Sequence, residues 1–283
     1  MATFQNFATL SYNGGVLTSN TVTGELLETL SATKTAVRDS YGAGDDLTYV
    51  ISLINSGTQA LTNLTVTDDL GGYDFGGTTV YPLAYAAGSV RYYVGGVLQA
   101  APAVDAGAPL VISGISVPAG GNAIIVYEAD VTEYAPLAAS SEIVNTVTVT
   151  GGGLTTPVVA TETVSARSGA SLAISKTLEP AVVTENGQIT YTFVIENYGN
   201  TAAIATDNVV LSDTFAPILD PITVTYNGVV WTEGVNYNYD ATTGVFSTVV
   251  GQITVPAATY TQNPDGTWTV VPGVAVVTVN GTV

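Results

Sequence analysis

The sequence predicts an all-β chain: two tandem Ig-like β-sandwich domains, the second lacking its final strand, preceded by an N-terminal donor strand. Four observations carry this prediction. The composition suits pleated, half-buried strands, with abundant Val, Thr and 16 Tyr and with 30 Gly for turns among 283 residues. Segments alternate apolar and polar residues and are broken by turn signals every ~8–12 residues, as in a sandwich. No long window shows the 3.6-residue period of an amphipathic helix. Finally, the chain repeats itself, and the repeat sets the domain plan.

The first copy opens at Leu30 with LSATKTAVRDSYGAGDDLTYVISLINSG, and the second opens at Leu172 with LAISKTLEPAVVTENGQITYTFVIENYG. Lys34 matches Lys176, Thr48-Tyr49 matches Thr190-Tyr191, Asn55 matches Asn197, and further on Asp68 matches Asp213. Gly114–Ala119 matches Gln252–Ala257 as the turn into a late strand. In the first copy that strand is Asn122–Thr132, and a last strand follows at Glu142–Gly153. In the second copy the late strand is Val274–Val283, and the last strand has no counterpart there.

The N-terminus supplies a candidate for it. Phe4–Gly15 parallels the last strand of the first copy, with Asn6 at the place of Asn145, Ala8 at Val147 and Leu10 at Val149. The predicted organisation is therefore a donor strand at 1–15, a tether at 16–29, domain 1 at 30–153, a linker at 154–169 and an incomplete domain 2 at 170–283. Asn6, Ala8 and Leu10 share one strand face and are the expected core-facing residues of the donor.

An incomplete sandwich exposes a groove and unpaired edge groups, which template strand addition. Insertion into a neighbouring copy is a heterologous contact and gives a head-to-tail homopolymer. The alternative is closure on the same chain, as a monomeric surface adhesin or carbohydrate-binding module. Residues 16–33 would reach roughly 60 Å at about 3.3 Å each, enough for that closure.

Parity marks a second feature. The chain has only two lysines, and they occupy equivalent positions. Leu30, Ala32 and Lys34 share a face, as do Leu64, Val66 and Asp68, and Asn145, Val147 and Val149. The same holds for Leu172, Ile174 and Lys176, and for Val209, Leu211 and Asp213. Each polar residue falls on the apolar, core-facing side. Burial disfavours the charged form of both Lys and Asp, which leaves a nucleophilic neutral amine beside an acid. Set against an Asn carboxamide, these groups can form an isopeptide bond and release ammonia. The plainer reading is a set of hydrogen-bonded or ion-paired polar residues near strand ends.

This constellation resembles the self-crosslinking domains of Gram-positive pilins and adhesins. The resemblance implies a bond between Lys34 and Asn145 with Asp68 as the acid. It also implies one between Lys176 and Asn6 of a second copy, with Asp213. The motifs Lys34-Thr35, Gly44-Asp45-Asp46-Leu47-Thr48-Tyr49, Asn55-Ser56-Gly57, Val66-Thr67-Asp68 and Asn145-Thr146-Val147 resemble a tandem-repeat domain of bacterial and archaeal surface proteins, long catalogued without a function. Domain 2 departs from that pattern at Asn186-Gly187-Gln188 and at its missing end. The family implies an Ig-like sandwich and an extracellular or surface role. The whole chain is also similar to proteins of anaerobic, spore-forming Firmicutes, which implies a spore appendage as one setting.

Composition excludes much else. A formal charge of −18, with 23 acids against 5 bases, repels nucleic acid and anionic membranes. With no Cys and no His, the sequence has no disulfide, thiolate zinc site or imidazole base. No apolar run is long enough to span a bilayer, and MATFQNFATL lacks the basic and apolar regions of a signal peptide. No serine-hydrolase elbow, phosphate-binding loop or glycosidase-like carboxylate pair stands out, so no enzyme acting on an external substrate and no cofactor are expected. Asp45-Asp46, Asp68-Asp69 and Asp74 follow no calcium-loop spacing, and no metal site is predicted. Tyr81, Tyr85, Tyr92, Tyr93, Tyr226, Tyr237, Tyr239, Tyr260 and Trp231 could form the aromatic platform of a glycan binder, although such residues more often pack strand faces.

Overall fold

The computed structural model describes residues 2–26 and 29–283. The chain divides into two compact units: Met1–Thr132 with Ile143–Val164, and Glu133–Glu142 with Ser165–Val283.

Unit 1 opens with a long hairpin. Strands β1 (Ala2–Asn6) and β2 (Thr9–Tyr12) run out, and β3 (Gly15–Thr18) and β4 (Val22–Leu26) run back. The reversal is built by Asn13 and Gly14, both at positive φ (46° and 81°). This is the Asn-Gly pair that suits the mirror-image turns matching strand twist. Thr9 pairs with Thr18 and Asn6 with Val22, so the returning strand carries one extra residue near 20–21. This corrects the expected tether at 16–29. Among its described residues, 16–26 are mostly strand, because the Asn-Gly turn folds them back onto the segment expected to stand alone. Leu27 and Glu28 lie outside the described residues.

The body of unit 1 continues with β5 (Leu30–Ala36), β6 (Ser40–Tyr41), β7 (Asp46–Asn55) and β8 (Leu61–Asp68). Next come β9 (Tyr73–Phe75), β10 (Thr78–Val80), β11 (Leu83–Tyr85), β12 (Arg91–Val94), β13 (Val97–Leu98) and β14 (Ala103–Asp105). It closes with β15 (Leu110–Val117), β16 (Asn122–Val131), β17 (Glu142–Gly151) and β18 (Val158–Ala166). One sheet has the order β13-β12-β16-β7-β5, with β11 also on β16, and the other has the order β14-β15-β8-β17-β18-β6. Alternate residues of both fill the core, among them Leu47, Tyr49 and Ile51 from β7, Val66 from β8 and Val147 and Val149 from β17. The expected linker at 154–169 is thus largely β18. Its half-buried alternation (Val158, Ala160, Glu162, then buried Val164) marks it as a sheet strand.

Unit 2 holds β19 (Leu172–Glu179), β20 (Gln188–Asn197), β21 (Ser212–Thr214), β22 (Ile222–Tyr226) and β23 (Val229–Val230). After them come β24 (Tyr237–Asp240), β25 (Val245–Thr248), β26 (Thr259–Gln262), β27 (Trp268–Val271) and β28 (Gly273–Thr282). The sheet β19-β20-β28-β22-β23 and the sheet β21-β25-β24 enclose a core that includes Phe193, Ile195, Phe215, Phe246 and Val277.

The matched asparagines explain part of the repeat. Asn55, fully buried, donates to the Gln59, Val117 and Pro118 carbonyls and accepts from Gly57 N–H. Asn197 donates to the Thr201 and Pro256 carbonyls and accepts from Ser171 and Gly199 N–H groups. Each pins the end of a long strand to the turn entering the late strand, satisfying backbone groups that would otherwise be buried unpaired.

Candidate functional site

Three strands of unit 1 converge on a buried polar cluster. Lys34 comes from the middle of β5, Asp68 from the end of β8 and Asn145 from β17. Lys34 Nζ donates to Asp68 Oδ2 at 2.6 Å, with the two side chains 0% and 1% exposed. Tyr127 of β16 joins them: its hydroxyl donates to the same Asp68 oxygen at 2.6 Å and accepts from Asn145 Nδ2 at 3.2 Å. Asp68 Oδ1 accepts from Leu70 N–H, which fixes the carboxylate. Tyr49, paired with Tyr127 across β7 and β16, stacks on it with ring centroids 5.5 Å apart. Lys34 Nζ lies 4.9 Å from the Tyr49 ring centroid. The structure therefore brings the three sequence-predicted residues together and adds two tyrosines.

Electrostatics follow from the burial. Desolvation pushes Lys34 below the usual lysine value, against the opposing pull of Asp68. Burial raises both Tyr49 and Tyr127, so both stay as phenols. The Asn145 Oδ1 and the Tyr49 hydroxyl are buried without a hydrogen bond, and the Asn145 carboxamide bears on the Tyr49 hydroxyl. Native interiors rarely leave such groups unpaired.

A pH test follows from the lysine. In Asn145→Ala the amine keeps its burial but meets no carboxamide. A depressed folded value means that the unfolded chain binds more protons between the two values, so stability rises with pH through that window. Melting temperature should climb from neutral pH toward about 10.5. It should stay flatter in Lys34→Met/Asn145→Ala, and equal slopes for the two would refute the assignment.

Unit 2 repeats half of the cluster. Lys176 of β19 bonds Asp213 of β21, and its Nζ lies 4.3 Å from the Tyr191 ring centroid. The pair is open, with the side chains 40% and 19% exposed. Two differences stand out. Opposite Tyr191 the register places Val279, where unit 1 has Tyr127 opposite Tyr49. Phe215 stacks on Tyr191 instead (centroids 5.0 Å), so the ring survives without the hydroxyl. Moreover, β21 pairs only with β25, whereas β8 pairs with both β15 and β17. Among the described residues no strand covers its other side, and residues 208–211, matching the middle of β8, are not strand.

An apolar groove results, lined by Leu172, Ala173, Ile174, Ile195, Val209, Val210 and Leu211. Leu172 and Ile174 are 42% and 58% exposed, whereas Leu30, the match of Leu172 in unit 1, is 5% exposed. Asn6, Ala8 and Leu10 lie exposed on the hairpin, and Asn6 pairs with Val22.

Other sequence candidates are occupied by structural tasks. Tyr92 and Tyr237 are buried, and the hydroxyls of Tyr92 and Tyr239 donate to the Ser116 and Leu219 carbonyls. Tyr226 stacks on Trp231 at 4.9 Å. Asp69 accepts from Gly71 and Thr146 N–H groups.

No known family model matches the chain, and no curated protein matches it. Solved structures do. The pilus backbone protein of Streptococcus pneumoniae shares 13% identity, the match covering 90% of this chain and 51% of that one, with a TM-score of 0.36. The major pilin subunit of Bacillus cereus shares 12%, over 96% of this chain and 73% of that one, with a TM-score of 0.36. A family 123 glycoside hydrolase from Clostridium perfringens shares 11% over 50% of this chain, with a TM-score of 0.33. The chain spans about half the length of the pneumococcal protein and about a quarter of the hydrolase.

Proposed function

We propose that this chain is the structural subunit of an extracellular filament, on a cell or spore surface, that polymerises head to tail. The N-terminal hairpin of one copy completes unit 2 of the next. One observation carries the reading: the apolar positions that β17 covers in unit 1 line an open groove in unit 2, and the hairpin carries a β17-like sequence with its apolar side chains in solvent. Phe4, Leu10 and Tyr12 are 56%, 63% and 73% exposed. Burying each large side chain is worth about 1.5–3 kcal/mol.

The repeat supplies a register. Val147 pairs with Asp68 and Val149 with Val66 in unit 1. The same register sets Ala8 opposite Asp213 and Leu10 opposite Leu211, and Asn6 reaches the Lys176–Asp213 pair. The hairpin holds a single acid, Glu25, within residues 1–26, so the strongly negative surface opposes docking little. A second copy is the proposed occupant, since β3 and β4 take up slack that closure onto the same chain would draw on. Only residues 27–29 remain between β4 and β5, about 10 Å at full extension.

Covalent locking completes the reading. In unit 1 the neutral Lys34 amine adds to Asn145 Cγ, the Cγ–Nδ2 bond breaks, and an amide to Nζ forms. The proton lost from Nζ passes to Asp68 and, through the Tyr127 hydroxyl, to Nδ2, which leaves as ammonia. The unpaired Tyr49 hydroxyl meets the charge that develops on Oδ1. In the filament, Lys176 and Asn6 of the incoming copy react beside Asp213.

Negative-stain microscopy tests assembly. The full chain should form fibres, and a variant lacking residues 1–26, or carrying Leu10→Asp, should stay monomeric. Fibres from the truncated chain would overturn the proposal.

A further inference from the structure

We propose that the acceptor in unit 2 takes two strands from its neighbour. β1–β2 enters where β17 lies in unit 1, and β3–β4 enters with it where β18 lies. The inference rests on the filament reading and states how much of the neighbouring copy it requires.

The first argument is a second uncovered edge. In unit 1, β18 lies between β17 and the two-residue strand β6, whose Tyr41 is fully buried. The two units match without insertion from Leu30 to Asn55 and from Leu172 to Asn197, so Val182 and Val183 stand where Ser40 and Tyr41 stand. They form no strand, and Val182 is 89% exposed. A strand as short as β6 depends on its neighbour for pairing, so unit 2 has the form unit 1 would take without both β17 and β18. A single inserted strand would cover the groove along Leu211 but leave the 182–183 edge bare.

The second argument is the side chains that meet at the end of the first strand. In unit 1 the end of β5 is tied to β18, since Ala36 N–H donates to Glu162 Oε1 at 3.2 Å. Thr146 and Thr161 touch through their hydroxyls at 3.2 Å, which places Glu162 opposite Asn145. In unit 2 the Ala36 position is Leu178, 38% exposed. In the hairpin, the residue opposite Asn6 is Val22. Where unit 1 sets Glu162 at the end of β5, docking would set Val22 beside the exposed Leu178 as an apolar pair.

The third argument is the hairpin itself. Directly opposed residues share a face, and alternate residues return to it. Phe4, Asn6, Ala8, Leu10 and Tyr12 therefore lie with Leu17 and Val22 on one face, while Gln5, Phe7, Thr9, Ser11, Val16, Thr18 and Thr23 lie on the other. The second strand contributes its own apolar residues to the docking face, which a mere tether has no reason to carry. An isolated two-stranded hairpin is marginal in water, and this one finds a third strand and a core only in an acceptor.

Because the sequence holds no Cys, introduced thiols report contacts cleanly. Fibres are grown from a heavy-nitrogen-labelled copy carrying Thr23→Cys and an unlabelled copy carrying Val182→Cys. They are treated with a short bismaleimide and digested for mass spectrometry. A parallel pair, Thr9→Cys with Ser212→Cys, reports the first strand. The proposal expects heavy–light crosslinked peptides of comparable yield from both pairs and none from the unmixed monomers. Crosslinking of Thr9–Ser212 alone would overturn the two-strand acceptor and leave the filament reading standing. Crosslinking of neither pair would overturn insertion of the hairpin into unit 2, and with it the proposed assembly of the filament.

Discussion

Purified protein lacking residues 1–26 should be lighter than its sequence by one ammonia, the loss occurring in unit 1. Lys34→Met, Asp68→Ala and Asn145→Ala should each restore the full mass, because each removes the nucleophile, the proton carrier or the acceptor. The bond would join β5 to β17, which belong to opposite sheets. A crosslink closing a loop of ~100 residues is worth about 4–5 kcal/mol on the chain-entropy account. For a unit of this size that corresponds to roughly 10–20 °C of melting temperature. Tyr127→Phe should leave the fold and the Tyr49 stack intact while slowing ammonia loss. Removing a positioned proton-transfer group costs about 10²-fold or more, which a refolding time course read by intact mass resolves. A full-mass wild-type unit 1 would remove the bond from the reading and leave a buried Lys34–Asp68 ion pair.

Much of this is legible in the sequence, for a definite reason. Strand parity is a period-2 rule that survives ignorance of tertiary structure, so Lys34, Asp68 and Asn145 can each be placed on the core-facing side of its strand from the apolar neighbours alone. The same rule places Tyr127 with Ile125 and Ala129 on the buried face of β16. That signal lies in the sequence, masked by the expectation that a tyrosine packs. The tether hides its structure differently. Asn13-Gly14 is a strong hairpin signal, but the segment after it, Val16–Leu26, is rich in Thr and resembles a linker. Only pairing against β1 and β2 makes it a strand. β18 resembles a linker for the same reason: its outward face is polar and its inward face includes Glu162, whose partner, the Ala36 N–H, is distant in sequence.

The bond between copies should separate from assembly itself. Of the hairpin's residues, docking would draw on Phe4, Leu10, Leu17 and Val22, whereas locking would need only Asn6. Asn6→Ala fibres should therefore form, yet dissolve to monomers when boiled in detergent, while the parent fibres give a ladder. The ladder should also mature slowly. Unit 2 has Val279 at the register position of Tyr127, and Phe215 stacks on Tyr191 without a hydroxyl, so no phenol bridges Asp213 to the leaving nitrogen. The Lys176 side chain is 40% exposed before docking, so its amine loses water only once the hairpin is seated. Unit 1 should thus be fully linked in freshly purified subunits, and the ladder should lengthen over the hours after fibres form. Slow locking has a physical consequence: a misregistered hairpin can leave before it is trapped. A ladder that persists in Asn6→Ala fibres, or parent fibres that boil to monomers at every age, would refute the intersubunit bond without touching the one in unit 1.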